Sequence, residues 1–182
     1  MISDVGQLPV LTRHLLTPPS PGDKDAVQEA LRATCARLAG NDACAKHLVG
    51  CLAEASPESK HAVIELLAIV AGPTALEAVA AAARDGSVEM QDTATRVLGE
   101  WPDPEAAPPL LKLARELDNG KFRVRVLRGY IRVIRQMDLP EEQKLTMCRA
   151  AMETARRDDE RKLLLEAMGR ISSTEAMAMA LA

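Results

Sequence analysis

Cys44, His47 and Cys51 stand at i, i+3 and i+7 of one apolar-periodic stretch, and His61 follows in the next. Thiols and imidazoles that share a helix face are zinc-ligand types. A single face, however, spreads them over about 10 Å at 1.5 Å per residue. A structural zinc site needs convergent donors, usually from tight turns. The group therefore reads as two core cysteines and a boundary histidine, and no metal is expected. Cys35 and Cys148 also fall inside apolar patterns. All of these thiols are expected as small buried hydrophobes, not as a disulfide frame.

The other candidate groups are equally bland. Asp158-Asp159-Glu160 has the look of a cation site, but it directly precedes the apolar stretch "RKLLLEAMGRI". Carboxylates there cap a helix start and complement its dipole. The chain has no phosphate-cradling glycine loop, no Gly-x-Ser-x-Gly, no His-Glu-x-x-His and no Cys-x-x-Cys. Each of those motifs carries a specific mechanism. No catalytic residue and no cofactor are expected.

The densest charge lies in "KFRVRVLRGYIRVIRQ", residues 121–136, with six cations and no anion. At 100° per residue, Lys121, Arg125, Arg128, Arg132 and Arg135 fall within an arc of about 80°. Phe122, Val124, Val126, Leu127, Tyr130, Ile131, Val133, Ile134 and Met137 take the opposite side, with Arg123 as the lone basic intruder. The stretch is an amphipathic helix with a broad buried face and one basic stripe. These five residues are the candidate partner-binding set.

The rest of the chain must position that stripe. Its 182 residues are 47% hydrophobic, enough to bury a core, and only 2% aromatic, so Ala, Leu and Val must fill that core. A net charge of −3 offers no general attraction to nucleic acid or acidic membranes. The apolar runs are too short to span a bilayer. "MISDVGQLPVLTRHLL" lacks the basic start of a signal peptide.

An internal repeat organises the chain. "ELLAIVAGPTALEAV", "RVLGEWPDPEAAPPL" and "EAMGRISSTEAMAMA" each end one helix, break, and begin another, with Pro or Ser/Thr/Asp at the restart. "RLAGNDACAKHL" and "RGYIRVIRQMDLPEEQKLTMC" follow the same plan. Taking Glu65, Arg96, Arg128 and Glu166 as equivalent gives steps of 31, 32 and 38 residues. Two helices per period of that length indicate an α-solenoid. Helices are expected over 8–16, 24–39, 42–55, 57–71, 73–84, 87–100, 104–117, 121–138, 140–156, 158–170 and 173–181, with no strand. "TPPSPGDKD", residues 17–25, reads as an inter-helix loop. Glu65 and Arg96 are expected to pair between layers.

The stretch "ALEAVAAAARDGSVEMQDTATRVLGEWPDPEAAPPLLKLA" resembles the HEAT-like repeats. Asp85 stands in the turn, Val88 early in the second helix, Ala94 in its middle and Leu98-Gly99 near its end; Gln91 and Asp92 depart from the basic residue common there. The resemblance covers nearly all of residues 25–182. It implies an all-α fold, a right-handed α-α superhelix (HEAT/ARM-like solenoid) of about five helical pairs in one domain, 1–182. "LRGYIRVIRQMDLPEEQKLTMCRAAMETARRDDERKLLLEAMGRISSTEAM" is similar to helical-repeat regions of large, mostly uncharacterised bacterial multidomain proteins. That likeness implies a segment of a longer protein and carries over no catalytic residue.

HEAT-like DNA glycosylases hold substrate with aromatic and acidic residues, a role open here to Trp101 and Asp103 alone. A lone Trp at a helix end is expected to be buried, and base extrusion needs a fuller aromatic pocket. The expected function is therefore a non-catalytic scaffold for protein–protein interaction. Its partner is a protein, a peptide or neighbouring domains of the parent chain. The alternative is nucleic-acid binding through the basic stripe. In HEAT-like units the second helix of each pair lines the concave side, which places Lys121, Arg125, Arg128, Arg132 and Arg135 toward that side.

Overall fold

A computed structural model describes residues 4–17, 24–118 and 120–171. Within them the chain forms ten α-helices and no strand. These are α1 (Asp4–Leu16), α2 (Lys24–Arg37), α3 (Asp42–Glu54), α4 (Pro57–Val70), α5 (Pro73–Ala82), α6 (Val88–Gly99), α7 (Ala107–Glu116), α8 (Gly120–Gln136), α9 (Glu141–Thr154) and α10 (Asp158–Met168). Most of the loop at 17–25 and the helix expected over 173–181 lie outside the described residues.

The restart signals act as their chemistry dictates. Asn41 accepts from the Cys44 N–H at 3.0 Å, and Ser56 accepts from Ser59 N–H at 3.2 Å. Both satisfy donors that a helix start leaves without a partner. Pro57 and Pro73 take first-turn positions, where a missing N–H costs nothing. Two expected boundaries shift. The helix expected from residue 8 begins at Asp4 and runs through Pro9, which removes one intrahelical bond near its start. The helix expected from 104 opens with a 3-10 turn, Pro104–Ala106, before α7. Prolines at 102, 104, 108 and 109 leave few donors for regular α winding there.

Internal packing divides the chain into two compact units, Met1–Val97 and Leu98–Ala182, with the boundary inside α6. In the first, α1 packs on α2 and α3, α2 on α4, and α3 and α4 on α5. Leu31, Leu48, Val63, Ile64, Leu67, Val70 and Val79 are fully excluded from solvent. In the second, α7 packs on α8 and α9, and α10 on α8 and α9. Its core holds Trp101, Leu110, Leu113, Phe122, Val126, Leu127, Val133, Cys148 and Leu164. Aliphatic side chains fill the first core, and in the second they pack around Trp101 and Phe122.

Polar contacts within each unit follow the repeat. In the first, Thr12–His47, Arg32–Glu65, Asp42–Thr74, His61–Thr93 and Glu65–Arg96 join residues 31 to 35 apart. In the second, Arg132–Trp101, Arg128–Asp159, Arg123–Glu160 and Arg115–Thr154 join residues 31 to 39 apart. These separations match the sequence steps, so one repeat hydrogen-bonds to the next through equivalent faces. The expected Glu65–Arg96 pair forms at 2.7 Å, and Arg32 joins it on the other carboxylate oxygen at 2.6 Å. Burial tends to raise the Glu65 pKa, but the hydrogen bonds from Arg96 and Arg32 outweigh it and hold the carboxyl below its ordinary value.

Candidate functional site

Helix α8 is the most one-sided helix of the second unit. Phe122, Val126, Leu127, Tyr130, Ile131, Val133 and Ile134 are buried, while Lys121, Arg128 and Arg135 are exposed and Arg125 and Arg132 half-buried. The stripe expected from the helical wheel is therefore present, but its members differ in what they touch.

Arg132 is committed to the fold. Its Nε donates to the Gly99 carbonyl at 2.8 Å and its Nη2 to the Trp101 carbonyl. The first of these is among the terminal carbonyls of α6, which have no partner inside their own helix. Arg128 reaches the other way and pairs with Asp159 Oδ2 at 3.0 Å. Lys121 Nζ and the Arg125 guanidinium flank the buried Phe122 ring at 5.4 and 5.9 Å from its centroid, within cation–π range. Arg135 sits in the last turn, where a cation complements the helix dipole.

Arg123, which the wheel places on the apolar side, is buried with a purpose. It donates to Glu160 Oε1 and, through Nη1, to the Thr154 carbonyl at 3.4 Å. Glu160 Oε2 accepts the Arg156 and Arg157 N–H groups at 2.9 and 3.2 Å. The capping role expected of the acidic run is thus carried by Glu160, which is also a buried counterion. Burial opposes its ionisation, yet the bonds from Arg123 and the two backbone N–H groups hold its pKa below the ordinary value.

The pair fixes the turn before α10 against α8 and so brings Arg157 beside the stripe. Gly120, Lys121, Val124, Arg125, Arg128 and Arg157 line a recess of about 390 Å³. Arg157 Nε contacts Asp159 Oδ1 at 3.0 Å, so Asp159 bridges Arg157 and Arg128. Burial would raise the Asp159 pKa, but the Arg128 hydrogen bond and the charges of Arg157 and Arg128 prevail and lower it. Neither Arg157 nor Asp159 belonged to the sequence-derived set. The available signal was the repeat itself, since Asp159 follows Arg128 by 31 residues.

The thiol–imidazole group points elsewhere. Cys35 and Cys44 are both buried free thiols. The His47 Nε2 meets Thr12 Oγ1 at 2.9 Å and Cys51 Sγ at 3.8 Å. His61 Nδ1 meets Thr93 Oγ1 at 2.8 Å. Among the described residues no three His, Cys, Asp or Glu side chains are grouped so as to hold a metal ion. Trp101 is buried, as its place at a helix end suggests.

Residues 45–130 match the family model for HEAT repeats. That segment is similar to HEAT repeats. The matched segment contains α4 to α7 and the first turns of α8, including Lys121, Arg125 and Arg128. No curated protein matches the chain. HEAT repeats generally act as protein-interaction scaffolds, presenting helix faces to large partners. No helix among the described residues is long and apolar enough to cross a membrane.

Proposed function

We propose that this HEAT-repeat chain is a non-catalytic scaffold whose α8 face docks an acidic segment of a protein partner. The partner is a separate protein or a neighbouring domain of a longer parent chain, of the bacterial multidomain kind that residues 127–177 resemble. The observation that carries this reading is the exposure of Lys121, Arg128 and Arg135 along one face of α8, beside a recess whose lining contains no acid. From Lys121 to Arg135 the face runs about 21 Å at 1.5 Å per residue. An extended peptide of about six residues spans that length at 3.3 Å each.

Nucleic acid fits less well. Sequence-tolerant binding of single strands uses exposed aromatic faces for base stacking. Trp101, Phe122 and Tyr130 are the only aromatic residues of the chain, and all are buried. A base-extruding pocket has the same requirement.

Fluorescence anisotropy with an oligoglutamate peptide and a DNA duplex of matched charge separates the two readings. Peptide binding at low salt that survives where the duplex fails supports docking of an acidic segment. Duplex binding that is tighter and falls steeply with salt would transfer the site to nucleic acid.

A further inference from the structure

The recess beside α8 gathers four cationic side chains. Lys121, Arg125 and Arg128 enter it from one helix and Arg157 from the turn before α10, with Asp159 bridging Arg128 and Arg157 at its edge. Two features preset these groups. The Phe122 ring supports Lys121 and Arg125, and the buried Arg123–Glu160 pair ties the Arg157 turn to α8.

Asp159 shows how the site handles an anion. One of its oxygens takes Arg157 and the other Arg128, both at 3.0 Å. A carboxylate from a partner would repeat that arrangement with one charge and two oxygens. A phosphate monoester brings a charge of about −1.5 to −2 and three acceptor oxygens. It can therefore meet guanidinium groups and an ammonium group at once, in the geometry that makes arginine clusters phosphate readers. A recess of about 390 Å³ accommodates a phosphoryl group and the side-chain carbon that carries it.

We propose that this recess receives the phosphorylated side chain of a serine or threonine in the acidic segment docked on α8. The inference rests on the docking reading above and names the group that the partner presents. Asp159 is then an internal competitor, which holds Arg128 and Arg157 until the phosphate takes them.

Anisotropy of the full chain with two acidic peptides, identical except for phosphoserine or glutamate at one position, tests this. The phosphopeptide is expected to bind about tenfold more tightly near neutral pH, where the phosphate is largely dianionic. Lys121→Ala and Arg157→Ala each remove most of that preference. Arg135→Ala lies about 10 Å farther along the helix than Arg128 and weakens both peptides alike. Asp159→Asn raises phosphopeptide affinity severalfold, a gain that misfolding cannot produce. Equal affinity for the two peptides, with both still sensitive to Arg135→Ala, overturns the phosphate assignment and leaves the docking reading intact. Binding of neither peptide overturns both. A phosphoserine preference unchanged in Lys121→Ala and Arg157→Ala places the phosphate elsewhere and overturns the assignment to this recess. Displacement of the phosphopeptide by an equal concentration of inorganic phosphate identifies a free-anion site and overturns the peptide claim.

Discussion

Arg123 of α8 donates to Glu160 of α10 with 4% and 0% of the two side chains exposed. Removing one partner of a buried ion pair strands the other, at a cost of about 3–5 kcal/mol. Arg123→Met is expected to destabilise by that amount in denaturant unfolding, whereas Arg123→Met with Glu160→Gln recovers part of it, since the amide oxygen keeps an acceptor for the Arg156 and Arg157 N–H groups without a buried charge. The folded pKa of Glu160 lies below its unfolded value, so its contribution is complete above about pH 4.3 and is lost as pH falls through the folded value. Acid unfolding of Glu160→Gln should therefore be less steep below about pH 4.3 than that of the wild type. An unchanged acid profile would contradict the assignment.

Gly129 faces Gly99 closely enough that a Cβ on Gly129 would stand 2.7 Å from the Gly99 Cα. The obstacle is backbone, which cannot rotate away as a side chain can. Gly129→Ala is expected to cost about 1–3 kcal/mol by overpacking, although alanine favours helix over glycine by about 1 kcal/mol. A thermal melt at or above the wild-type midpoint would show that the two backbones separate freely.

Ala71 closes α4 with φ 57 and ψ −162, a conformation that suits glycine alone. The Gly40 N–H holds the preceding Val70 carbonyl at 2.7 Å and thereby keeps the chain in that turn. Ala71→Gly should raise stability by about 1 kcal/mol, readable as a higher unfolding midpoint. A lower midpoint would contradict strain at this position.

The repeat was legible in the sequence because breaks and caps are local chemistry, and because equivalent residues recur at a fixed step. Glu65 and Arg96 pair as that register requires, and Arg32 extends the pair by one further step. What could not be read were acceptors without a side-chain signature. Arg132 belongs to the same stripe as Arg128, yet it bonds the Gly99 and Trp101 carbonyls. Helical periodicity likewise places Arg123 on the apolar side but cannot name Glu160, 37 residues away, as its partner. Leu98-Gly99 was visible as a motif, but the crowded position is Gly129: a Cβ on Gly99 would meet only Arg125, at 3.9 Å.

Cys35, Cys44, Cys51 and Cys148 are buried and reduced. Burial pushes the Cys35 and Cys148 thiols up to about 12 and about 11, and it also raises Cys44 and Cys51. Reaction requires thiolate. A thiol-specific chromogenic reagent should label them only as the protein unfolds, in step with the loss of helix. Rapid labelling of the native chain would contradict their place in the core.

The α8 docking face is tested most directly by reversing two exposed charges and leaving the fold-bound one alone. Arg128→Glu with Arg135→Glu should lower affinity for oligoglutamate by about tenfold at low salt, since exposed pairs contribute about 0–1 kcal/mol each, and should shift the unfolding midpoint little. Wild-type affinity in that double variant, with the fold intact, would contradict an acidic partner on α8.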